Sequence, residues 1–216
     1  MGAPMDEEPK AGRLDYQPIR DEMHRRPLTD RASFLRTELP YGWVDSYREM
    51  TARPTEILRF THDPFEYFYD ALDLLIAQGI VPADPSSESR LVVAVGFSAP
   101  KKRKRDDSRL RGWVGPTETL AGREWDKGHF IAHSIGGAVE GIEANVFLQR
   151  RDLNRGWSAE GRKYREMEKY CCANPGTFCF SRPIYLDLTS RPTSLEFGLL
   201  TAEGELWVER FDNRSR

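Results

Sequence analysis

The chain has 216 residues, of which 39% are hydrophobic and 31% charged, and its formal net charge is −2. This length supports one sizeable core, and the near-zero net charge excludes a uniformly basic nucleic-acid binder. No run approaches the roughly 18 apolar residues that a membrane span needs, so no membrane association is expected. The N-terminal segment lacks an apolar stretch, so we expect no signal peptide.

The first half of the chain predicts a polar arm followed by a folded domain. Residues 1–50 are rich in charge and proline and predict an arm or linker. The segment DPFEYFYDALDLLIAQGI, residues 63–80, has apolar side chains at helical spacing between an Asp-Pro start and a glycine, which predicts a helix. The β-branched run RLVVAVGFS, residues 90–98, predicts a buried strand.

The second half predicts strands around one helix. A strand is expected over residues 123–134, REWDKGHFIAHS, followed by a Gly-Gly turn and a partner strand over residues 144–150. GRKYREMEKYCCA, residues 161–173, is typical of a helix. FCFSRPIYLDL, LEFGLLT and ELWVERF predict three more strands. This mixed and mostly antiparallel order indicates an α+β fold.

The stretch DKGHFIAHSIGG carries two of the chain's four histidines. If a hairpin runs into a helix after it, His129 meets Asn145 and Asn154. Histidine, with a pKa of about 6.5, can act as a general base near neutral pH. An asparagine carbonyl is a hard, neutral ligand that suits Mg²⁺ and leaves the ion's charge available to a phosphate. Gly128 would leave room for close approach of backbone or substrate. These residues fit phosphodiester hydrolysis with one cation.

The segments DKGHFIAHSIGG and NVFLQRRDLNRG resemble the DNA/RNA non-specific endonucleases of the ββα-metal, or His-Me finger, group. That family's signature is Asp-Arg-Gly-His, then Asn, then Gln four residues later, then Asn-x-Gly at a helix start. Here Lys127 replaces the arginine, while Asn145 and Gln149 keep the spacing. The resemblance covers roughly residues 90–200.

The resemblance implies a ββα-metal nuclease fold, in which helices flank a central, mostly antiparallel sheet. The ββα core would occupy about residues 123–170 of a nuclease domain spanning residues 51–216. The implied activity is endonucleolytic hydrolysis of DNA, RNA or both, with 5′-phosphate products and little sequence preference. It would need one Mg²⁺ or Mn²⁺ ion per site.

The same resemblance implies roles for individual residues. His129 would be the general base and Asn154 the metal ligand, with Asn145 and Glu168 completing the catalytic group. Glu168 takes this place if WSAEGRK is an insertion; Glu160 and Glu166 are the alternatives. The residues expected to contact substrate are Lys127, Arg109, Arg111, Gln149, Arg151 and Arg155.

Similar domains occur at the C-termini of bacterial toxins. By that resemblance, a neutralising immunity protein or another regulatory protein is a candidate partner besides nucleic acid. The protein is then expected in the cytoplasm or delivered into a target cell. At the level of function the alternative is a non-catalytic nucleic-acid-binding module on the same fold.

Three features of the sequence have more than one interpretation. On a regular strand His133 would share a face with His129 at about 13 Å, so we expect a structural role, with a zinc hydrolase using both histidines as the alternative. The three cysteines are expected to be reduced thiols, with a three-thiolate zinc site as the alternative. The basic cluster PKKRKR, residues 100–105, predicts phosphate contacts, with a nuclear localisation signal or a solvated loop as alternatives.

Overall fold

The computed structural model describes residues 14–51, 53–84, 86–100, 122–138 and 143–215. In these ranges the helices are α1 (Gln17–His24), α2 (Leu28–Met50), α3 (Leu72–Ala77), α4 (Arg151–Arg155) and α5 (Ala159–Ala173). The strands are β1 (Ile57–His62), β2 (Phe65–Asp70), β3 (Arg90–Phe97), β4 (Trp125–His129), β5 (Val146–Arg150), β6 (Phe178–Ile184), β7 (Ser194–Leu200) and β8 (Leu206–Asp212). The α+β class predicted from the sequence is confirmed.

Six strands form one antiparallel sheet in the order β1-β2-β3-β6-β7-β8, while β4 and β5 form a separate hairpin. The large sheet has a core on each face, which explains why β3 is a continuous apolar run after Arg90. Val93 and Val95 pack in a cluster with side chains of α1 and α2. Ala94 packs in the other cluster, with the β4–β5 hairpin and α5. The hairpin, α4 and α5 therefore lie on one face of the sheet and α1 and α2 on the other.

The polar arm predicted for residues 1–50 does not hold from residue 14 onward. Leu35 and Trp43 of α2 are fully buried, and the Trp43 ring lies 4.5 Å from that of Phe180 in β6. The apolar positions Leu35, Leu39 and Trp43 recur four residues apart, which places them on one helical face despite the many charges around them. Composition averaged over the segment concealed this stripe. Residues 1–13 lie outside the described residues.

The helix predicted over residues 63–80 is also wrong in its first half. Residues 65–70 form β2, which pairs with β1 on one side and β3 on the other. Helix α3 begins only at Leu72. Phe65 and Tyr67 are both fully buried and alternate along the strand. The aromatic run FEYFY suits both periodicities, and pairing with two neighbouring strands decides between them.

The strand predicted over residues 123–134 is shorter in the structure: β4 ends at His129, so it does not lead directly into the Gly-Gly turn, and β5 begins at Val146. His133 begins a 3-10 helix, His133–Ile135, so it does not share a strand face with His129 as predicted. Gly136 has a φ of +106°, and a Cβ on Gly137 would lie 1.9 Å from the carbonyl oxygen of Ile131. The glycine pair is therefore needed to fold this loop back on itself.

Among the described residues, every helix is too short or too polar to cross a membrane.

Candidate nuclease site

The β4–β5 hairpin separates the residues of the DKGH motif onto two faces. The motif pairs antiparallel with β5, with Asp126 opposite Gln149 and His129 opposite Val146. Asp126 and Gly128 are buried, whereas Lys127 and His129 are half-buried. Because side chains alternate along a strand, Lys127 and His129 share the more open face and Asp126 the inner one. Burial lowers the pKa of the Lys127 ammonium from its ordinary value.

Gly128 accommodates a neighbouring side chain. A Cβ at this position would lie 2.3 Å from Gln149 Oε1 and 2.5 Å from Gln149 Cβ. Gln149 itself is 1% exposed and packs across the hairpin at this point. The glycine before His129 therefore serves internal packing where the sequence suggested room for substrate. The burial of Gln149 favours support of the hairpin over the substrate contact predicted for it.

Asn145 organises the loop that follows His129. Its Oδ1 accepts a hydrogen bond from Ile131 N at 3.0 Å, and its Nδ2 donates to the carbonyl oxygens of Ile131 at 3.0 Å and Ala138 at 2.8 Å. Its backbone carbonyl accepts from Phe130 N at 3.0 Å. The side chain is fully buried, and both amide N–H groups are used. These contacts favour a positioning role for Asn145 over the direct catalytic role predicted from the sequence.

Asp126 draws the start of the hairpin and helix α4 together. Its carboxylate accepts hydrogen bonds from Arg151 Nε at 2.9 Å and from Arg155 Nε at 2.7 Å and Nη2 at 3.0 Å. It also accepts one from Asn154 Nδ2 at 3.2 Å. Burial alone would raise the pKa of Asp126, but the bonds from Arg155, Asn154 and Arg151 outweigh it and lower that pKa. Asp126 is therefore ionised at neutral pH, and it engages two arginines that the sequence assigned to the substrate.

The bond to Asp126 also orients the Asn154 side chain. A carboxylate only accepts hydrogen bonds, so the NH₂ of the amide must face Asp126 and Oδ1 must point away from it. Asn154 is half-buried, and no described residue donates a hydrogen bond to its Oδ1. A pre-oriented, neutral, hard oxygen fits the single protein ligand that a hydrated Mg²⁺ accepts. Within the described ranges, no cluster of three His, Cys, Asp or Glu residues is arranged to hold a metal ion.

Glu168 reaches Asn154 through a residue that the sequence interpretation missed. Arg165 Nη1 donates to Glu168 Oε2 at 2.8 Å, and Arg165 Nη2 donates to the backbone carbonyl oxygen of Asn154. Glu168 is 5% exposed; burial raises its pKa and the charge and hydrogen bond of Arg165 oppose that rise. An arginine one helical turn before the glutamate was the available signal. The alternatives lie elsewhere: Glu160 is bound by Arg150, and Glu166 lies 3.8 Å from Lys163.

The remaining sequence predictions fall on residues away from this cluster or outside the described ranges. Arg109, Arg111 and the basic segment Lys101–Arg105 lie outside the described residues. Cys171 and Cys179 are buried free thiols, and Cys172 is half-buried with its Sγ 3.5 Å from the carbonyl oxygen of Ser134. The structure thus brings together Asp126, Arg151, Asn154 and Arg155, with Arg165 and Glu168 behind them.

Comparison with known proteins gives a similarity in structure only. No family model matches the chain, and no curated protein matches it. A structure described as Sda1 nuclease with bound zinc ion is 13% identical, has a TM-score of 0.38 and is matched over 78% of this chain and 80% of its own. An extracellular endonuclease is 10% identical, has a TM-score of 0.37 and is matched over 76% and 81%. Both are described as nucleases, and neither is similar enough to add to what the chain's own residues show.

Proposed function

We propose that this protein is a metal-dependent endonuclease that hydrolyses phosphodiester bonds of DNA, RNA or both. The observation that carries the proposal is the hydrogen bond from Asn154 Nδ2 to Asp126 Oδ2, 3.2 Å. It joins the Asp-Lys-Gly-His strand to the Asn-Arg-Gly helix end, so the two halves of the motif meet in space although Asp126 and Asn154 are 28 positions apart in the chain. If the strand that carries His129 had only a structural role, it would not need this hydrogen bond to Asn154.

In this proposal His129 is the general base that takes a proton from the attacking water. It lies three residues beyond Asp126, about 10 Å along an extended strand and on the strand's other face, so the same strand carries the base on its open face and the anchor of Asn154 on its inner face. Lys127, on the same open face, offers a cation to a phosphate. Asn145 fixes the loop directly after His129 and so sets the direction of the strand end.

Asn154 Oδ1 would hold one Mg²⁺ or Mn²⁺ ion. Such an ion, when bound, stabilises the negative charge that develops on the phosphate and on the leaving 3′ oxygen. Asp126 orients the amide from one side, and Arg165 holds the backbone carbonyl of the same residue from the other. Glu168 is a positioning residue here because it acts on Asn154 through Arg165. Arg109 and Arg111 remain candidates for binding the nucleic-acid strand.

The test is cleavage of supercoiled plasmid and of single-stranded RNA, with and without divalent cation. Activity should disappear in chelator and return with millimolar Mg²⁺ or Mn²⁺. Asn154→Ala should abolish cleavage and weaken Mn²⁺ binding measured by calorimetry, whereas Asn154→Asp, which keeps an oxygen ligand, should still bind Mn²⁺. Full activity after exhaustive chelation would overturn the metal assignment. Binding of nucleic acid without cleavage under any condition would identify a non-catalytic binding module.

A further inference from the structure

Trp157 is a large aromatic side chain exposed beside the candidate metal residue. The residue is 62% exposed, whereas most large apolar residues of the described chain are buried. It follows Gly156, which ends α4 with a φ of +72° and so turns the chain away from the helix. Its backbone is fixed on both sides: Trp157 N donates to the carbonyl oxygen of Asp152 at 2.9 Å, and its own carbonyl oxygen accepts from Arg162 Nη1 at 3.3 Å.

One face of the Trp157 ring is covered by the side chain of Arg155, which also binds Asp126. The guanidinium carbon of Arg155 lies 5.0 Å from the Trp157 ring centroid. That guanidinium is itself anchored, because its Nε and Nη2 both donate to the Asp126 carboxylate. Arg155 therefore clamps the indole against the site, and the rest of the ring stays open to solvent. An exposed aromatic held in a defined place can bind a ligand without first losing its conformational freedom.

We propose that the open face of Trp157 is a stacking platform for an unpaired nucleobase of the substrate strand. The inference rests on the proposed nuclease function and names the form of its substrate. Trp157 lies three positions after Asn154, which limits the distance between their Cα atoms to about 10 Å. That upper limit equals about three steps of the ~3.4 Å rise per nucleotide in duplex DNA, and an unpaired strand can be more extended, so the stacked base would lie within about three nucleotides of the phosphate at Asn154.

The chemistry around the ring suits a nucleic-acid strand. Every base has a π-face, so stacking on an indole tolerates any sequence, and cations at the rim can meet the phosphates. Arg162 is exposed at this rim and Arg155 covers the back of the ring. In a duplex the faces of the bases are already occupied by their neighbours, so the platform selects single-stranded or unpaired segments. A strand end, loop or frayed step would be held with its backbone running toward Asn154.

The inference is tested by binding in Ca²⁺, measured by fluorescence anisotropy with labelled oligothymidylate and with a blunt duplex of equal length. The variants are Trp157→Ala, Trp157→Tyr and, as a matched control, Tyr41→Ala. Tyr41 is 70% exposed on α2, on the opposite face of the sheet. Because these rings are exposed, each variant should melt within a few degrees of the wild-type protein.

Removal of one stacking ring should weaken oligothymidylate binding about 5- to 150-fold. Trp157→Tyr should bind within a few-fold of wild type, Tyr41→Ala should be unchanged, and duplex affinity should change little in any variant. Unchanged affinity in Trp157→Ala, or an equal loss for single strand and duplex, overturns the stacking role even if the wild type cleaves nucleic acid. A selective loss in a protein that never cleaves supports the platform and removes the nuclease proposal. Absence of oligonucleotide binding by the wild type overturns both.

Discussion

Replacing Asp126 by Asn should weaken both the fold and the candidate metal site. The carboxylate accepts four hydrogen bonds from three side chains, and an amide can replace only part of them because its NH₂ group would face guanidinium donors. The exposed side-chain fractions are 11% for Asp126, 20% for Arg151 and 45% for Arg155. The ion pairs of Asp126 with the two arginines are therefore intermediate in burial. An exposed ion pair contributes about 0–1 kcal/mol to stability, and breaking a buried one costs about 3–5 kcal/mol.

We therefore expect Asp126→Asn to lower the free energy of unfolding by about 2–3 kcal/mol. For a domain of this size, that corresponds to a fall in Tm of about 4–12 °C. The same change releases the amide of Asn154. The Mg²⁺ concentration for half-maximal cleavage should therefore rise at least about tenfold, because one hydrogen bond to a charged group is lost.

Stability is measured by urea and thermal unfolding, and the metal requirement by plasmid nicking across a Mg²⁺ titration. The matched control is Asp45→Asn, whose carboxylate is 70% exposed and lies 3.6 Å from Arg48, so it should change stability by less than about 0.5 kcal/mol. A variant at Asp126 with the wild-type Tm and the wild-type Mg²⁺ midpoint would refute the clamping of Asn154 by this carboxylate.

His129→Ala should lower kcat by about 10²–10⁴-fold without weakening binding of uncleaved strand in Ca²⁺, whereas His133→Ala in the 3-10 helix should keep most activity; the reverse pattern would show that the wrong histidine was chosen. Burial would raise the pKa of Glu66, but hydrogen bonds from two arginines lower it from 4.5 overall. Its stabilising contribution should thus be constant above about pH 4.5 and be lost as the pH falls through its lower folded value. Urea unfolding of wild type and Glu66→Gln at several pH values checks this, and a pH-independent difference would contradict it. Replacing Lys101–Arg105 by Ser or Gln should weaken duplex binding and reduce the salt slope by about 0.9 per lost phosphate contact, with the rate at saturating substrate nearly unchanged; an unchanged slope would assign the cluster another role.

The spacing of apolar residues was sufficient to predict the secondary structure wherever either the helical or the strand periodicity dominated. The strands β3, β4 and β5 lie within the segments predicted for them, and α5 covers the predicted helix at residues 161–173. It failed at β2, where aromatic residues satisfy strand and helix spacing alike, and at α2, where charged residues hide an apolar stripe. In both segments, packing against the large sheet determines the structure, and packing partners distant in sequence are not visible in a local window.

For the candidate site, the sequence by itself determined which residue types are present and in what order: an Asp-Lys-Gly-His strand, a partner strand and an Asn-Arg-Gly segment, which was expected at a helix start and lies at the end of α4. Only the tertiary structure decided their partners. It directed Arg151 and Arg155 to Asp126, buried Asn145 in the loop, and connected Glu168 to Asn154 through Arg165. The physical reason is that a hydrogen bond depends on distances of about 3 Å and on direction, which folding sets across tens of residues. The spacing of residues along the chain determines neither this distance nor this direction.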